Sequence, residues 1–161
     1  MISDTARVNL KNNSSPYNTI DSSKSIISSS GAGSFLFSNA VNRVNYYLAV
    51  KHRNSIETWS NSGNAFASGF LTYNFSTNSL QAYGSNEIQV DVSPLRFAVY
   101  SGDTNQDGIV DATDAGAIDN DASNFVSGYV NTDLTGDAIV DASDAAIADN
   151  NASNFVSKIT P

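Results

Sequence analysis

The sequence predicts a mainly β chain with a small α part: a β-sandwich over residues 1–100, then a pair of loop–helix units over residues 101–161. Three observations carry this expectation. Short alternating or aromatic-rich runs recur through the first hundred residues between clusters of Gly, Ser and Asn, which is the pattern of half-buried strands joined by turns. The remainder contains an internal repeat at an offset of 30 residues, which superposes Asp103 on Asp133, Asp107 on Asp137, Asp111 on Asp141 and Asp114 on Asp144. Charge divides at the same place, with seven Lys/Arg against five Asp/Glu in residues 1–100 and one Lys against eleven Asp in residues 101–161.

In the first part, residues 6–10, 34–37, 46–50, 70–75, 88–92 and 96–100 read as strands, because apolar or aromatic side chains alternate with polar ones at a period of two. Ser28-Ser29-Ser30-Gly31-Ala32-Gly33 and Asn61-Ser62-Gly63-Asn64 supply turn chemistry between them. Residues 12–16 read as a loop, since Pro16 biases Ser15 to extended backbone. No helical period of useful length occurs before residue 100.

The acidic part is different in kind. The first repeat reads Asp103-Thr104-Asn105-Gln106-Asp107-Gly108-Ile109-Val110-Asp111-Ala112-Thr113-Asp114. A hard cation such as Ca²⁺ takes six to eight oxygen ligands, and a twelve-residue loop supplies them from positions 1, 3, 5, 7, 9 and 12. Those positions hold Asp103, Asn105, Asp107, Ile109 through its carbonyl, Asp111 directly or through water, and Asp114. Gly108 at position 6 allows the sharp turn, and the Ile109 side chain is expected to point into the core while its carbonyl faces the ion.

The second repeat offers Asp133, Thr135, Asp137, Ile139, Asp141 and Asp144 at the same positions. Thr135 replaces an amide with a hydroxyl or carbonyl ligand, and Ala138 stands where a positive φ favours Gly, so this loop is expected to bind more weakly. Two ions are expected in all. Asp residues that merely solubilise a surface have no reason to recur at positions 1, 5, 9 and 12 of both copies. Magnesium competes poorly for such a loop, because an octahedral ion keeps several waters.

The duplicated D-x-N-x-D-G-x-V-D-x-x-D loop followed by a short helix, with no helix in front of it, resembles the type I dockerin repeat over residues 101–157. That resemblance implies folding around two Ca²⁺ ions and a cohesin-like module as a partner. Residues 33–39, 46–53 and 55–60 resemble the immunoglobulin-like or transthyretin-like repeat that precedes such tails in surface proteins of Bacteroidetes and Ignavibacteria. In that family one more strand comes before the one that here starts near Thr5. The resemblance therefore implies an immunoglobulin-like sandwich lacking one strand, completed by other copies of the chain or by an upstream segment through strand complementation, as in pilus-like fibres.

Composition narrows the function classes. A segment this acidic is a poor ligand for nucleic acid or anionic lipid, both of which are bound through Lys and Arg. No apolar run reaches the length of a membrane span; heavy use of Ser, Thr, Asn and Asp with sparing Lys and Glu is the style of secreted bacterial surface proteins, and since the first residues lack the pattern of a signal peptide, a mature form or fragment of such a protein is expected, without membrane insertion. With no Cys, neither disulfides nor thiolate chemistry contribute. His52 is the sole His and sits in Lys51-His52-Arg53, which reads as a solvated strand end rather than a catalytic base. No catalytic constellation emerges, and the chain is expected not to be an enzyme. Trp59 with Tyr46 and Tyr47 is the one candidate sugar platform, and core packing is the simpler role for them.

Overall fold

The structure, a computed structural model, describes residues 4–161. Strand β1 (Asp4–Asn12) buries Ala6, Val8 and Leu10 at a period of two, while Arg7 faces solvent. It runs antiparallel to β2 (Thr19–Ile27) on one side and to β3 (Asn45–His52) on the other, with Leu10 opposite both Asp21 and Leu48. The sheet order is β2-β1-β3-β4, where β4 is Ser55–Trp59, and the two-residue β5 (Asn64–Ala65) pairs with the start of β3. A separate two-stranded antiparallel sheet is formed by β6 (Ile88–Val92) and β7 (Leu95–Ala98). Helices α1 (Ala112–Ser123) and α2 (Ala142–Ser153) complete the chain. Among the described residues the chain is thus mainly β, with two antiparallel sheets and two α-helices.

Three expectations change. The gap foreseen beside β1 is filled from within the chain, since β1 is an inner strand with β2 on its far side. Residues 4–12 are therefore committed to their own sheet. Residues 34–37 and 70–75 are not strands. Their aromatic side chains instead cover the face of the sheet: Phe35, Phe37, Leu71, Tyr73 and Phe75 pack on the buried Val8, Leu10, Tyr46 and Leu48. Alternation arises there because every other side chain faces the sheet, while Leu36 and Phe70 point outward at 88% and 81% exposure.

Trp59 and Tyr46 are buried, so their ring faces are taken up by packing. Trp59 lies edge-on to Tyr17 and tilted against Tyr47, and its indole N–H donates to Glu57 Oε1 at 2.7 Å.

The outer edge of β4 is closed by the segment leading out of the β part. The Ile56 N–H donates to the Tyr100 carbonyl, and the Gly102 N–H to the Asn54 carbonyl. Ile56 then packs with Val110 and Val156 of the repeats, flanked by Tyr100 and Ala152. One side chain of β4 is in this way part of the core of the acidic segment. The other small core there is Ile118, Val140 and Ala148.

Candidate metal centre

The two repeats fold alike because the same residues act at the same places. Asp111 and Asp141 cap the two helices, each accepting from the N–H two residues on, at 2.7 Å, while Asp114 and Asp144 reach back to the capping residue's own N–H. Each helix ends with a Phe in the left-handed region, Phe125 and Phe155, both at φ 54. The N–H of Val126 returns to the Asp121 carbonyl and that of Val156 to the Asn151 carbonyl, closing the last turn in the way glycine usually serves. Both rings are nearly fully exposed, at 89% and 87%. Phe155→Gly should accordingly stabilise the fold by about 1 kcal/mol, because a positive φ costs a side-chain-bearing residue about that much; a chemical denaturation midpoint that falls would contradict it.

Each loop is bridged to the tail of the other repeat's helix. In the first loop the Val110 N–H donates to the Val156 carbonyl and the Gly108 carbonyl accepts from Lys158. In the second the Val140 N–H donates to the Val126 carbonyl and the Ala138 carbonyl accepts from Gly128. Ile109 thereby stands opposite Ser157, and Ile139 opposite Ser127, as non-hydrogen-bonded antiparallel pairs. Residues so paired turn their own N–H and C=O away from the partner, which directs the position-7 carbonyl of each loop to the loop side. The side chains are a correction: Ile109 and Ile139 are half exposed, and the next residues, Val110 and Val140, enter the cores.

In the first loop, Asp103 and Asp114 are buried at positions 1 and 12, while Asn105, Asp107 and Asp111 lie exposed around them. Asp114 Oδ1 accepts from the Thr104 N–H and hydroxyl, both at 2.8 Å, and from the Asn105 N–H at 3.2 Å. Asp107 Oδ1 accepts from the Ile109 N–H, and Asn105 Oδ1 from the Asp107 N–H. Asp103 Oδ2 takes the Gly108 N–H at 3.2 Å, but its Oδ1 is buried with no hydrogen-bond partner among the described residues. Burial pushes the Asp103 carboxyl up, and the nearby charges of Asp114 and Asp107 add to this against the Gly108 hydrogen bond. An anionic oxygen in that position is costly unless a cation answers it.

The second loop repeats the frame. Asp133 and Asp144 are buried, and Asp144 Oδ1 accepts from the Leu134 and Thr135 N–H groups at 2.7 and 2.9 Å. Asp133 differs from Asp103 in being fully engaged: Oδ1 accepts from Gly136 at 2.8 Å, Oδ2 from Ala138 at 3.1 Å, and an Arg53 nitrogen stands 3.8 Å from Oδ2. Thr135 and Asp137 lie exposed, with the Ile139 N–H on Asp137 Oδ1 at 2.9 Å. Ala138 has φ 69, as its position requires, but Gln106 in the first loop has φ 63 where the second loop has Gly136. Each loop therefore carries one strained residue. The backbone ground for unequal sites is thereby lost, and the differences left between the loops are the amide of Asn105 against Thr135 and the hydrogen-bonding of Asp103 against Asp133.

Among the described residues no three Asp, Glu, His or Cys side chains are already gathered as a closed cage. The carboxylates hold N–H groups of their own loops instead. The donor set nevertheless fits a hard cation: every candidate ligand is oxygen, the position-7 carbonyls face the loops, and Asp103 Oδ1 lacks a partner. His52 is not the solvated strand end that was expected. Its Nε2 lies 2.9 Å from Asp4 Oδ2 and its Nδ1 3.0 Å from Asn54 Oδ1. Comparison of the chain with protein-family models, with curated proteins and with solved structures finds no match.

Proposed function

We propose that this protein is a non-catalytic, extracellular, calcium-binding structural module, with an immunoglobulin-like β part and a dockerin-like pair of calcium loops. The observation that carries the reading is Asp103 Oδ1, a buried and unpartnered carboxylate oxygen at position 1 of a twelve-residue loop whose other ligand positions are all oxygen donors. Asp103, Asn105, Asp107, Ile109, Asp111 and Asp114 hold one Ca²⁺, and Asp133, Thr135, Asp137, Ile139, Asp141 and Asp144 hold the other.

Calorimetric titration of the full chain with CaCl₂ should give two binding events, and MgCl₂ should compete weakly. Asp103→Ala should remove the tighter event and Asp133→Ala the weaker one. Titration without heat or saturation would overturn the reading, and loss of the tighter event in Asp133→Ala would reverse the order of the sites.

Assembly into a cell-surface fibre by strand addition is the partner reading we favour. Its site moves from β1 to β2, an end strand of the main sheet, where Ile27 already bridges Gly33 and the Ile26 side chain is 67% exposed. Negative-stain imaging of the concentrated protein tests it: filaments support it, whereas a monomer that captures a cohesin module or a glycan favours an anchoring or carbohydrate-binding role.

A further inference from the structure

The turn between β3 and β4, His52-Arg53-Asn54-Ser55, lies against position 1 of both loops. At the second loop, the Asp133 carbonyl accepts from Asn54 Nδ2 at 2.8 Å and from an Arg53 guanidinium nitrogen at 3.1 Å, and the same guanidinium donates to the Val130 carbonyl. At the first loop, Gln106 Nε2 donates to the Asp103 carbonyl at 2.8 Å and reaches the Ser55 carbonyl at 3.3 Å, while the Gly102 N–H is on the Asn54 carbonyl. The guanidinium is itself fixed. Its Nε donates to Asp4 Oδ2 at 3.0 Å, its Cζ lies over the Tyr129 ring at 4.6 Å from the ring centre, and the Tyr129 hydroxyl donates to Asp4 Oδ1. A planar fork that serves two carbonyls, a carboxylate and an aromatic face at once has little freedom left.

We propose that Arg53 and Asn54 are positioning residues for calcium in the second loop, and that the turn carrying them couples both calcium loops to the β part. The inference rests on the calcium reading above. Asp133 supplies a carboxylate whose direction is set by its own backbone, and that backbone is held by side chains of a different structural unit. Partners of this outer kind commonly change metal affinity by tenfold or more. Since Asp4 lies against the Arg53 charge, the effect is one of orientation more than of local charge. Linkage is reciprocal: if the turn favours the ion-ready loop, the ion favours the docked turn by the same factor.

The test is calcium titration and scanning calorimetry of the full chain, unaltered and as Arg53→Met, with Tyr129→Ser as the milder variant because Tyr129 is an exposed side chain. The unaltered chain should bind two ions and melt in one calcium-dependent transition. In Arg53→Met the weaker site should lose about tenfold in affinity, the tighter site should change by less than about threefold, and the melting of the β part should depend less on calcium than in the unaltered chain. Arg53→Lys, which restores the charge and one donor but not the fork, should recover only part of the affinity. Unchanged affinities in both Arg53→Met and Tyr129→Ser, with folding intact, would overturn the proposal while leaving the calcium reading standing. Absence of calcium binding by the unaltered chain would overturn both.

Discussion

Removal of calcium with excess EDTA is expected to abolish a thermal transition of residues 101–161 or to lower it steeply. The segment carries eleven Asp against one Lys, and its two cores are small, one of them completed only by Ile56 from β4. Two divalent ions would offset four of its ten net negative charges. At a hundredfold excess over Kd each bound ion stabilises the folded form by about 2.7 kcal/mol, so two sites contribute about 5 kcal/mol. That is a large share of the stability of a small domain. Scanning calorimetry with calcium and with EDTA measures the difference directly, and superimposable thermograms would refute it. Because Ile56 is shared, the melting of β4 should fall in step.

A second large effect is expected at Glu87. This side chain is 5% exposed and both its carboxylate oxygens are buried without hydrogen-bond partners among the described residues. Burial pushes its carboxyl up to about 8 from an ordinary value of 4.5. The folded state then holds a proton that the unfolded state has released, so stability falls as pH rises through the window from 4.5 to about 8 and levels off above it. The whole fall amounts to about 5 kcal/mol at its limit. Glu87→Gln should flatten that slope and raise the melting temperature at pH 9 relative to the unaltered chain, with a much smaller difference at pH 4. Parallel stability profiles for the two proteins between pH 4 and pH 9 would count against a neutral buried carboxyl.

The two matching loop–helix units were legible in the sequence because the same residue types recur at the same spacing in both, and the duplication checks each alignment twice. Asp111 and Asp114 were read from the sequence only as candidate ligands, whereas in the fold they form a capping box at the start of α1. Among the strands, β1, β3, β6 and β7 were read from alternation. Strand β2 was not, because an edge strand needs few apolar residues, and its Thr19-Ile20-Asp21-Ser22-Ser23-Lys24-Ser25 run looks like a loop.

The opposite error occurred at residues 34–37 and 70–75, where aromatic alternation marks contact with a sheet face and says nothing about backbone pairing. Ile109 was placed in the core because a carbonyl ligand was assumed to turn its side chain inward, whereas the bridge to Ser157 gives that role to Val110. Arg53 left no trace in the sequence. Its partners Asp4, Tyr129, Val130 and Asp133 lie up to 80 residues away, and only the folded chain brings them together.

The crossed bridges between loops and helix tails have a consequence for the order of events during synthesis. Residues 108–110 of the first loop find their backbone partners in residues 156–158, made about four dozen residues later as the chain grows from its N-terminus, while residues 138–140 of the second loop need only residues 126–128, made shortly before. The repeat translated first is thus the one completed last. Until Val156 emerges, the loop with the unpartnered Asp103 oxygen stays an open strand end beside β4, and the nascent chain holds its second unit in place before its first.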